Sequence, residues 1–111
     1  MAEPAGEARV QGRIEGHVAI LTLDRPAKLN ALDQAMMAGI EAWVDEVEAN
    51  REVRAAIITG AGEKVFSAGG DIAAWAGLDP LTFMRDWIRK GHRVFDRLAR
   101  LRQPLIAVVN G

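Results

Sequence analysis

The chain has 111 residues, of which 50% are apolar and 26% are charged, and its formal net charge is -1. That length allows one domain at most, and so small a net charge gives no global case for binding nucleic acid or an anionic membrane. The absence of cysteine excludes a disulfide framework and a thiolate site. Residues 1–12 lack the apolar core of a signal peptide, and no run approaches the ~20 apolar residues of a membrane span. We expect a cytoplasmic protein in which residues 1–9 form a flexible tail.

The first half of the chain predicts two strands, a helix and a third strand. Residues 8–15 and 17–23 are rich in β-branched and apolar residues and are separated by Gly16, which predicts a hairpin. Asp33 is a suitable N-cap for a helix that ends near Asn50. Residues 54–59 form an apolar run without alternation, which is typical of a strand buried on both faces. The predicted helix carries one apolar stripe, formed by Met36, Ile40, Trp43, Val44 and Val47.

The second half predicts one more helix and one more strand. Asp79 followed by Pro80 marks a helix start, Pro104 ends any helix, and residues 105–109 form another buried strand. The order of these elements predicts two strand-helix-strand crossovers with parallel pairing, in an α/β layer architecture. The apolar stripe of this helix consists of Met84, Trp87, Ile88, Gly91, Val94, Phe95, Leu98 and Leu101.

Three groups of polar residues are interpreted as structural. Residues 60–64, GAGEK, match neither the GxGxxG spacing of a dinucleotide-binding loop nor the GxxxxGK(S/T) spacing of a Walker loop. They predict a turn. His17 and His92 are interpreted as surface residues, and no metal site is predicted without cysteine or a paired His and carboxylate spacing. Ser67 has neither the frame of a nucleophile elbow nor a histidine placed as its base.

Basic residues are concentrated in the second helix. The favoured interpretation is a solvated face, stabilised by Asp86–Lys90 and Asp96–Arg100 pairs. The alternative is an anion or RNA surface, although no aromatic residues alternate with the charges. The basic residues are Arg85, Arg89, Lys90, Arg93, Arg97, Arg100 and Arg102.

The stretch KVFSAGGDI, residues 64–72, begins like a buried strand and then loses its side chains. A bend needs only one glycine, whereas the SAGGD segment (residues 67–71) leaves several successive main-chain groups almost uncovered. Such a segment can present N–H groups to a developing negative charge, as an oxyanion hole does, or can allow two chain segments to cross closely. The residues alone leave both interpretations open.

Four motifs, in register along the chain, resemble the crotonase (enoyl-CoA hydratase/isomerase) superfamily. They are VAILTLDRP, KLNALD, AAIITGAGEKVFSAGGDI and PLIAVVNG, and the match covers residues 10–111. The resemblance implies that these residues are the N-terminal part of a crotonase-like acyl-CoA-binding domain, built as a spiral of ββα units. It also implies a homo-oligomer (a trimer or hexamer) and an acyl-CoA substrate that includes coenzyme A, with no separate cofactor. The composition and residue spacing described above predict no metal and no membrane partner, and they do not favour nucleic acid.

The resemblance assigns site residues and a function as well. The backbone N–H of Ala68 would lie in the oxyanion hole, and the substrate would be bound by Ala68, Gly69, Gly70, Asp71, Arg25, Ala27 and Leu29. The implied function is acyl-CoA processing of the enoyl-CoA hydratase/isomerase type, through a stabilised thioester enolate. In the family, the second donor and the catalytic acid–base residues follow later in the chain, so we expect residues 1–111 alone to be inactive. The alternative function is a non-catalytic crotonase-like assembly or binding module.

Overall fold

The computed structural model of the protein describes residues 9–71, 73 and 76–111. The predicted tail therefore lies outside the described residues except for Arg9, and Ile72 lies outside them too. Strand β1 (Val10–Glu15) pairs antiparallel with β2 (Val18–Leu23), and Gly16 at the turn has a φ of 60°. This pairing confirms the predicted hairpin. Glycine suits the tight turn because it readily adopts a positive φ.

Helix α1 (Gln34–Ala49) begins where Asp33 predicts that it should. The Asp33 Oδ1 atom accepts a hydrogen bond of 2.8 Å from the Met36 N–H, which satisfies one of the free donors of the first turn. The whole predicted apolar stripe is buried and packs on β2 and on the second helix. The periodicity of the sequence was sufficient to predict the buried residues of α1, because one face of this helix packs on the core and the other faces solvent.

Strands β3 (Ala55–Gly60) and β4 (Leu105–Val108) complete a sheet of order β1-β2-β3-β4. Strand β3 is parallel to both β2 and β4, so the predicted crossovers are confirmed. Predicted burial on both faces is wrong for β4, where Ile106 and Val108 are 55% and 45% exposed. Burial on both faces is also incomplete in β3, because Ile57 is half-buried. Among the described residues, the helices cover one face of the sheet and β4 forms its edge, which explains both exposures.

The second helical region has three parts: α2 (Pro80–Thr82), a π-helical segment (Phe83–Arg89) and α3 (Lys90–Ala99). Asp79 caps its start as predicted. The Asp79 carboxyl accepts a hydrogen bond of 2.9 Å from the Thr82 N–H, and this bond holds the pKa of the carboxyl below its ordinary value. The π-helical segment was not predicted, since its wider turns leave no clear signal in the apolar spacing.

The predicted apolar stripe of this helical region is only half right. Its buried members are Trp87, Gly91, Val94, Leu98 and Leu101. In contrast, Met84, Ile88 and Phe95 are 55%, 41% and 50% exposed. The apolar face is wider than the contact with α1 and the sheet, so one side of it remains uncovered among the described residues.

Residues 61–69 contain no strand, so the strand-like start of KVFSAGGDI is not realised. The predicted turn at residues 60–64 is confirmed. The segment regains a ladder contact only at Gly70, which forms an isolated parallel bridge with Leu32. No helix within the described ranges has the length and apolar content needed to cross a bilayer.

Gly60, the last residue of β3, allows the following segment to pass very close to the strand. A Cβ atom at Gly60 would overlap the Phe66 carbonyl oxygen and would lie 2.9 Å from Phe66 Cα. We therefore expect Gly60→Ala to lower the free energy of unfolding by roughly 1–3 kcal/mol, the usual cost of overpacking, in urea denaturation. Gly91→Ala is the control, because nothing lies within 4 Å of its Cβ position inside α3. Equal stability of the Gly60 variant and wild type would contradict this close approach.

Candidate functional site

Two chain segments run side by side beyond the carboxyl ends of β2 and β3. They are loop 24–33, which includes the 3-10 turn Pro26–Lys28, and the SAGGD segment. The Ala68 N–H donates to the Leu29 carbonyl at 3.0 Å, and the Leu32 N–H donates to the Gly69 carbonyl at 2.7 Å. The structure thus brings together the two groups of residues that the family resemblance assigned to the substrate site, which lie about 40 positions apart in the chain.

The main-chain N–H groups of the SAGGD segment differ in what they contact. The Ala68 N–H is bound to Leu29, and the Asp71 N–H donates to the Leu32 carbonyl at 2.9 Å. The Gly69 N–H donates to the Ser67 Oγ atom at 3.1 Å. Of the N–H groups of residues 68–71, only that of Gly70 donates to no described group. Among the described residues, Gly70 is therefore the member of this segment whose N–H has no acceptor, whereas the family resemblance assigned the oxyanion N–H to Ala68.

Ser67 and Gly69 shape the start of this segment. The Ser67 hydroxyl donates to the Asn30 carbonyl at 2.8 Å and accepts from the Gly69 N–H. Both partners are main-chain groups, as the structural interpretation of Ser67 predicts. Gly69 has a φ of 102°, a conformation that side chains other than glycine rarely adopt. Gly69 is exposed at this turn, and Gly70 after it is half-buried.

Asn30 is a fully buried residue that joins loop 24–33 to the chain entering the SAGGD segment. Its Oδ1 atom accepts from the Arg25 N–H at 2.8 Å. Its Nδ2 atom donates to three carbonyl oxygens, at 3.1–3.2 Å: those of Ala61, Val65 and Phe66. The motif KLNALD by itself assigned no role to this asparagine. An amide side chain between two apolar residues was the sequence signal, and its φ of 55° is a conformation that asparagine tolerates better than most residues.

A cluster of charged side chains lies beside the two segments. The Arg25 Nη1 atom donates to Asp71 Oδ2 at 2.8 Å and to the Ala31 carbonyl at 3.1 Å, and lies 3.5 Å from Asp33 Oδ2. Asp33 also receives Arg9 Nη1 at 2.7 Å. The Arg25 and Asp71 side chains are 15% and 12% exposed, so the Arg25 guanidinium faces the protein.

Two other residues of loop 24–33 that were assigned to the substrate are exposed. Ala27 lies in the 3-10 turn, and Leu29 is 53% exposed with a φ of 54°. The Leu29 N–H closes the turn by donating to the Pro26 carbonyl at 3.1 Å. These side chains are therefore accessible at the edge of the sheet where the SAGGD segment lies.

Asn110 fastens the end of β4 to the same edge. Its Nδ2 atom donates to the carbonyl oxygens of Gly60 and Gly62, at 2.8 and 2.6 Å. The segments that follow β2, β3 and β4 therefore meet at one place. Ligands of open α/β sheets commonly bind at such carboxyl edges.

Other features of the described chain do not form a second centre of chemistry. Within it, no group of three or more His, Asp or Glu residues is arranged to hold a metal ion. His17 and His92 are exposed as predicted, and His17 Nδ1 lies 2.7 Å from the Glu52 carbonyl oxygen. A cavity of about 870 Å³ between β1 and the end of α1 includes none of the predicted site residues.

The basic face of the second helix packs against acidic residues of α1. Arg93 makes a bidentate ion pair with Glu41, at 2.9 and 3.0 Å. Arg97 lies 2.6 Å from Asp45 and 3.1 Å from Glu48, and its hydrogen bond with Asp45 raises the pKa of Arg97 further above its ordinary value. These contacts neutralise two of the seven basic residues that the RNA interpretation would use. The predicted pairs Asp86–Lys90 and Asp96–Arg100 are present as well, at 3.9 and 2.9 Å.

Comparison with known proteins decides the family. A family model described as enoyl-CoA hydratase/isomerase matches residues 18–111. The chain belongs to the enoyl-CoA hydratase/isomerase family. This family member is 42% identical over 97 residues to a short-chain-enoyl-CoA hydratase of Clostridium acetobutylicum. It is also 36% identical over 99 residues to a mitochondrial 3-hydroxyisobutyryl-CoA hydrolase of Gallus gallus.

Solved structures agree with this assignment at the level of fold. An enoyl-CoA hydratase from Bacillus anthracis superposes with a TM-score of 0.88 at 27% identity, and the match covers 93% of this chain. The predicted crotonase-like α/β fold is confirmed. The chain spans 40% of that structure, 37% of the Clostridium hydratase and 26% of the Gallus hydrolase. Since relatives named hydratase and hydrolase match the same part of the chain, family membership alone does not choose the reaction.

Proposed function

We propose that the protein is an acyl-CoA-processing enzyme in which the Gly70 N–H polarises a thioester carbonyl and stabilises the enolate that forms from it. The observation that carries this proposal is the Gly70 N–H, which is the one donor of residues 68–71 left free of described partners. A fixed, unpaired N–H group is what an oxyanion hole offers to a developing negative charge. Gly70 replaces Ala68 in this role, because the Ala68 N–H is occupied by the Leu29 carbonyl.

The surroundings of Gly70 suit a thioester. Ala68 and Gly69 are exposed and carry little or no side chain, so a substrate carbonyl can approach the main chain closely. Ala27 and Leu29 offer exposed apolar groups on the adjacent loop for the coenzyme A chain. The substrate contacts proposed for Gly69, Gly70, Ala27 and Leu29 all lie at this edge, and coenzyme A enters as part of the substrate.

We assign the second oxyanion donor and the groups that transfer protons to residues beyond Gly111. The chain spans 37% of the Clostridium hydratase, which leaves room for such residues in a protein of similar length. The homo-oligomer implied by the resemblance stays a prediction. Residues 1–111 alone should associate through the edge of β4, which no other described element covers, since an exposed strand edge with apolar side chains favours association, and light scattering would detect it. A cytoplasmic location stays a prediction.

Hydration of crotonyl-CoA tests the proposed function. The full-length protein should hydrate this thioester, and residues 1–111 alone should not, because a single oxyanion donor without a proton-transfer group lacks most of the machinery. Loss of absorbance by the conjugated thioester reports the reaction. If residues 1–111 hydrate crotonyl-CoA by themselves, the assignment beyond Gly111 is wrong. If the full-length protein binds acyl-CoA thioesters but converts none of several classes, the non-catalytic module is favoured.

A further inference from the structure

Gly69 and Gly70 have no side chains, so the direction of the Gly70 N–H depends on what fixes the residues on either side. On the N-terminal side, the Ser67 hydroxyl binds both the Asn30 carbonyl and the Gly69 N–H. On the C-terminal side, the Asp71 N–H is bound to Leu32, and the Asp71 carboxylate is bound to the Arg25 guanidinium at 2.8 Å. The Leu32 N–H holds the Gly69 carbonyl, which belongs to the same peptide unit as the Gly70 N–H, at 2.7 Å. Arg25 supplies a further anchor, through the side chain of the residue that follows Gly70.

The contacts of Arg25 also argue against direct binding of a ligand by its guanidinium group. Its Nη1 atom is shared by the Asp71 carboxylate, the Ala31 carbonyl and, at 3.5 Å, the Asp33 carboxylate. Its side chain is 15% exposed, which leaves little of the guanidinium for an anionic group of a ligand. The shortest ion pair of Arg25 is with Asp71, at 2.8 Å. The Asp33 carboxylate is farther from Arg25 and has a closer cation in Arg9, at 2.7 Å.

We propose that Arg25 is a positioning residue, which holds the Gly70 N–H in the direction of the thioester carbonyl through the Asp71 carboxylate. This inference rests on the function proposed above, and it differs from the expectation that Arg25 contacts the substrate. Arg25 bridges loop 24–33 and the SAGGD segment with a planar, forked group, which reaches a carboxylate and a carbonyl at once. A lysine keeps the charge but offers a compact ammonium on a different stem, and so does not reproduce this bridge.

The test compares Arg25→Lys with Arg9→Lys in the full-length protein. Arg9 is the matched control, since it binds the same Asp33 carboxylate without contacting Asp71. The probe is butyryl-CoA labelled with ¹³C at the thioester carbonyl, which has no double bond to hydrate. In wild type, difference infrared spectra should show the carbonyl stretch shifted to lower frequency on binding. Arg25→Lys should lose part of that shift, whereas Arg9→Lys should keep it.

Kinetics provide the second measurement. With crotonyl-CoA, Arg25→Lys should lower kcat by about tenfold to a hundredfold, the scale of a misplaced catalytic group, and change KM far less. If Arg25→Lys does not fold, the isosteric Asp71→Asn variant removes the charge partner instead and should give the same two effects. If Arg25→Lys folds, the double variant with Asp71→Asn should lose less in kcat than the product of the two single losses, because both substitutions disrupt the Arg25–Asp71 pair.

The outcomes separate the two proposals. Absence of a carbonyl shift in wild type overturns the oxyanion function of this segment. A shift that is present in wild type and unchanged in folded Arg25→Lys overturns the positioning role alone. A raised KM with unchanged kcat and unchanged shift would instead show that Arg25 contacts the substrate, and this also overturns the inference.

Discussion

Replacing the Gly70 amide by an ester, which deletes its N–H, should lower kcat by about 10²–10³-fold, the usual loss for one oxyanion donor. The ester keeps the φ and ψ preferences close to those of glycine, and the Gly70 N–H that it deletes has no described acceptor. It weakens the Gly69 carbonyl as the acceptor of the Leu32 N–H without removing that bond. The protein should therefore remain folded with a nearly unchanged melting temperature. The loss should fall on kcat more than on KM, since the N–H is expected to bind the enolate more strongly than the ground-state carbonyl.

The same ester at Ala68 separates the two candidate donors. It deletes the hydrogen bond to the Leu29 carbonyl, so it should lower the free energy of unfolding by about 1 kcal/mol. Its effect on kcat should be much smaller than that of the Gly70 ester. If the Ala68 ester loses the 10²–10³-fold in kcat and the Gly70 ester does not, the sequence-based assignment to Ala68 is right, and its bond to Leu29 must open when substrate binds. Circular dichroism checks that both esters are folded.

Replacing Asn30 by leucine should lower the free energy of unfolding by roughly 3 kcal/mol or more, because it leaves several partly buried main-chain groups without the partner that the buried amide supplies. The groups concerned are the Arg25 N–H and the carbonyl oxygens bound by Asn30 Nδ2. Leucine also tolerates the φ of 55° at this position poorly. Urea denaturation followed by circular dichroism measures the change.

Asn30→Asp and Asn50→Ala complete this test. Aspartate keeps the shape, the acceptor for Arg25 and the tolerance for a positive φ, but it turns an oxygen toward the three carbonyl oxygens that Asn30 Nδ2 binds. We therefore expect a loss close to that of leucine. Asn50 makes one exposed side-chain hydrogen bond, to the Glu52 N–H, so its alanine variant should lose less than about 1 kcal/mol. Wild-type stability of Asn30→Asp would show that the amide donor matters little.

Prediction from the sequence succeeded where the deciding interactions are local. The cap at Asp33 needs only the N–H of Met36, three residues away, and the burial of Ile40 follows from helical periodicity. The pair Asp96–Arg100 was predicted for the same reason, since residues four apart meet on a helix. Arg93 shows the limit of this reasoning. Its partner, Glu41, lies 52 positions away, and no local pattern indicates the pair.

The burial of the outer elements shows a second limit. The apolar runs of β4 and of the helix containing Phe95 are equally compatible with a core and with an uncovered surface. Phe95 is 50% exposed and Ile106 is 55% exposed, because neither lies under another described element. Apolar character is a property of the residue, whereas burial depends on which elements pack against it.

At the site, the sequence by itself determined that residues 67–70 leave the main chain with little side-chain cover. Two glycines in succession are sufficient for that conclusion, but they leave open whether a ligand or another chain segment approaches there. Only the tertiary structure decided which N–H group is available. Ala68 and Gly70 are equivalent as local donors, but the Leu29 carbonyl lies 3.0 Å from the Ala68 nitrogen, and no described carbonyl binds the Gly70 N–H. The availability of a main-chain donor depends on whether an acceptor from a distant part of the chain is within reach, and the local sequence does not contain that information.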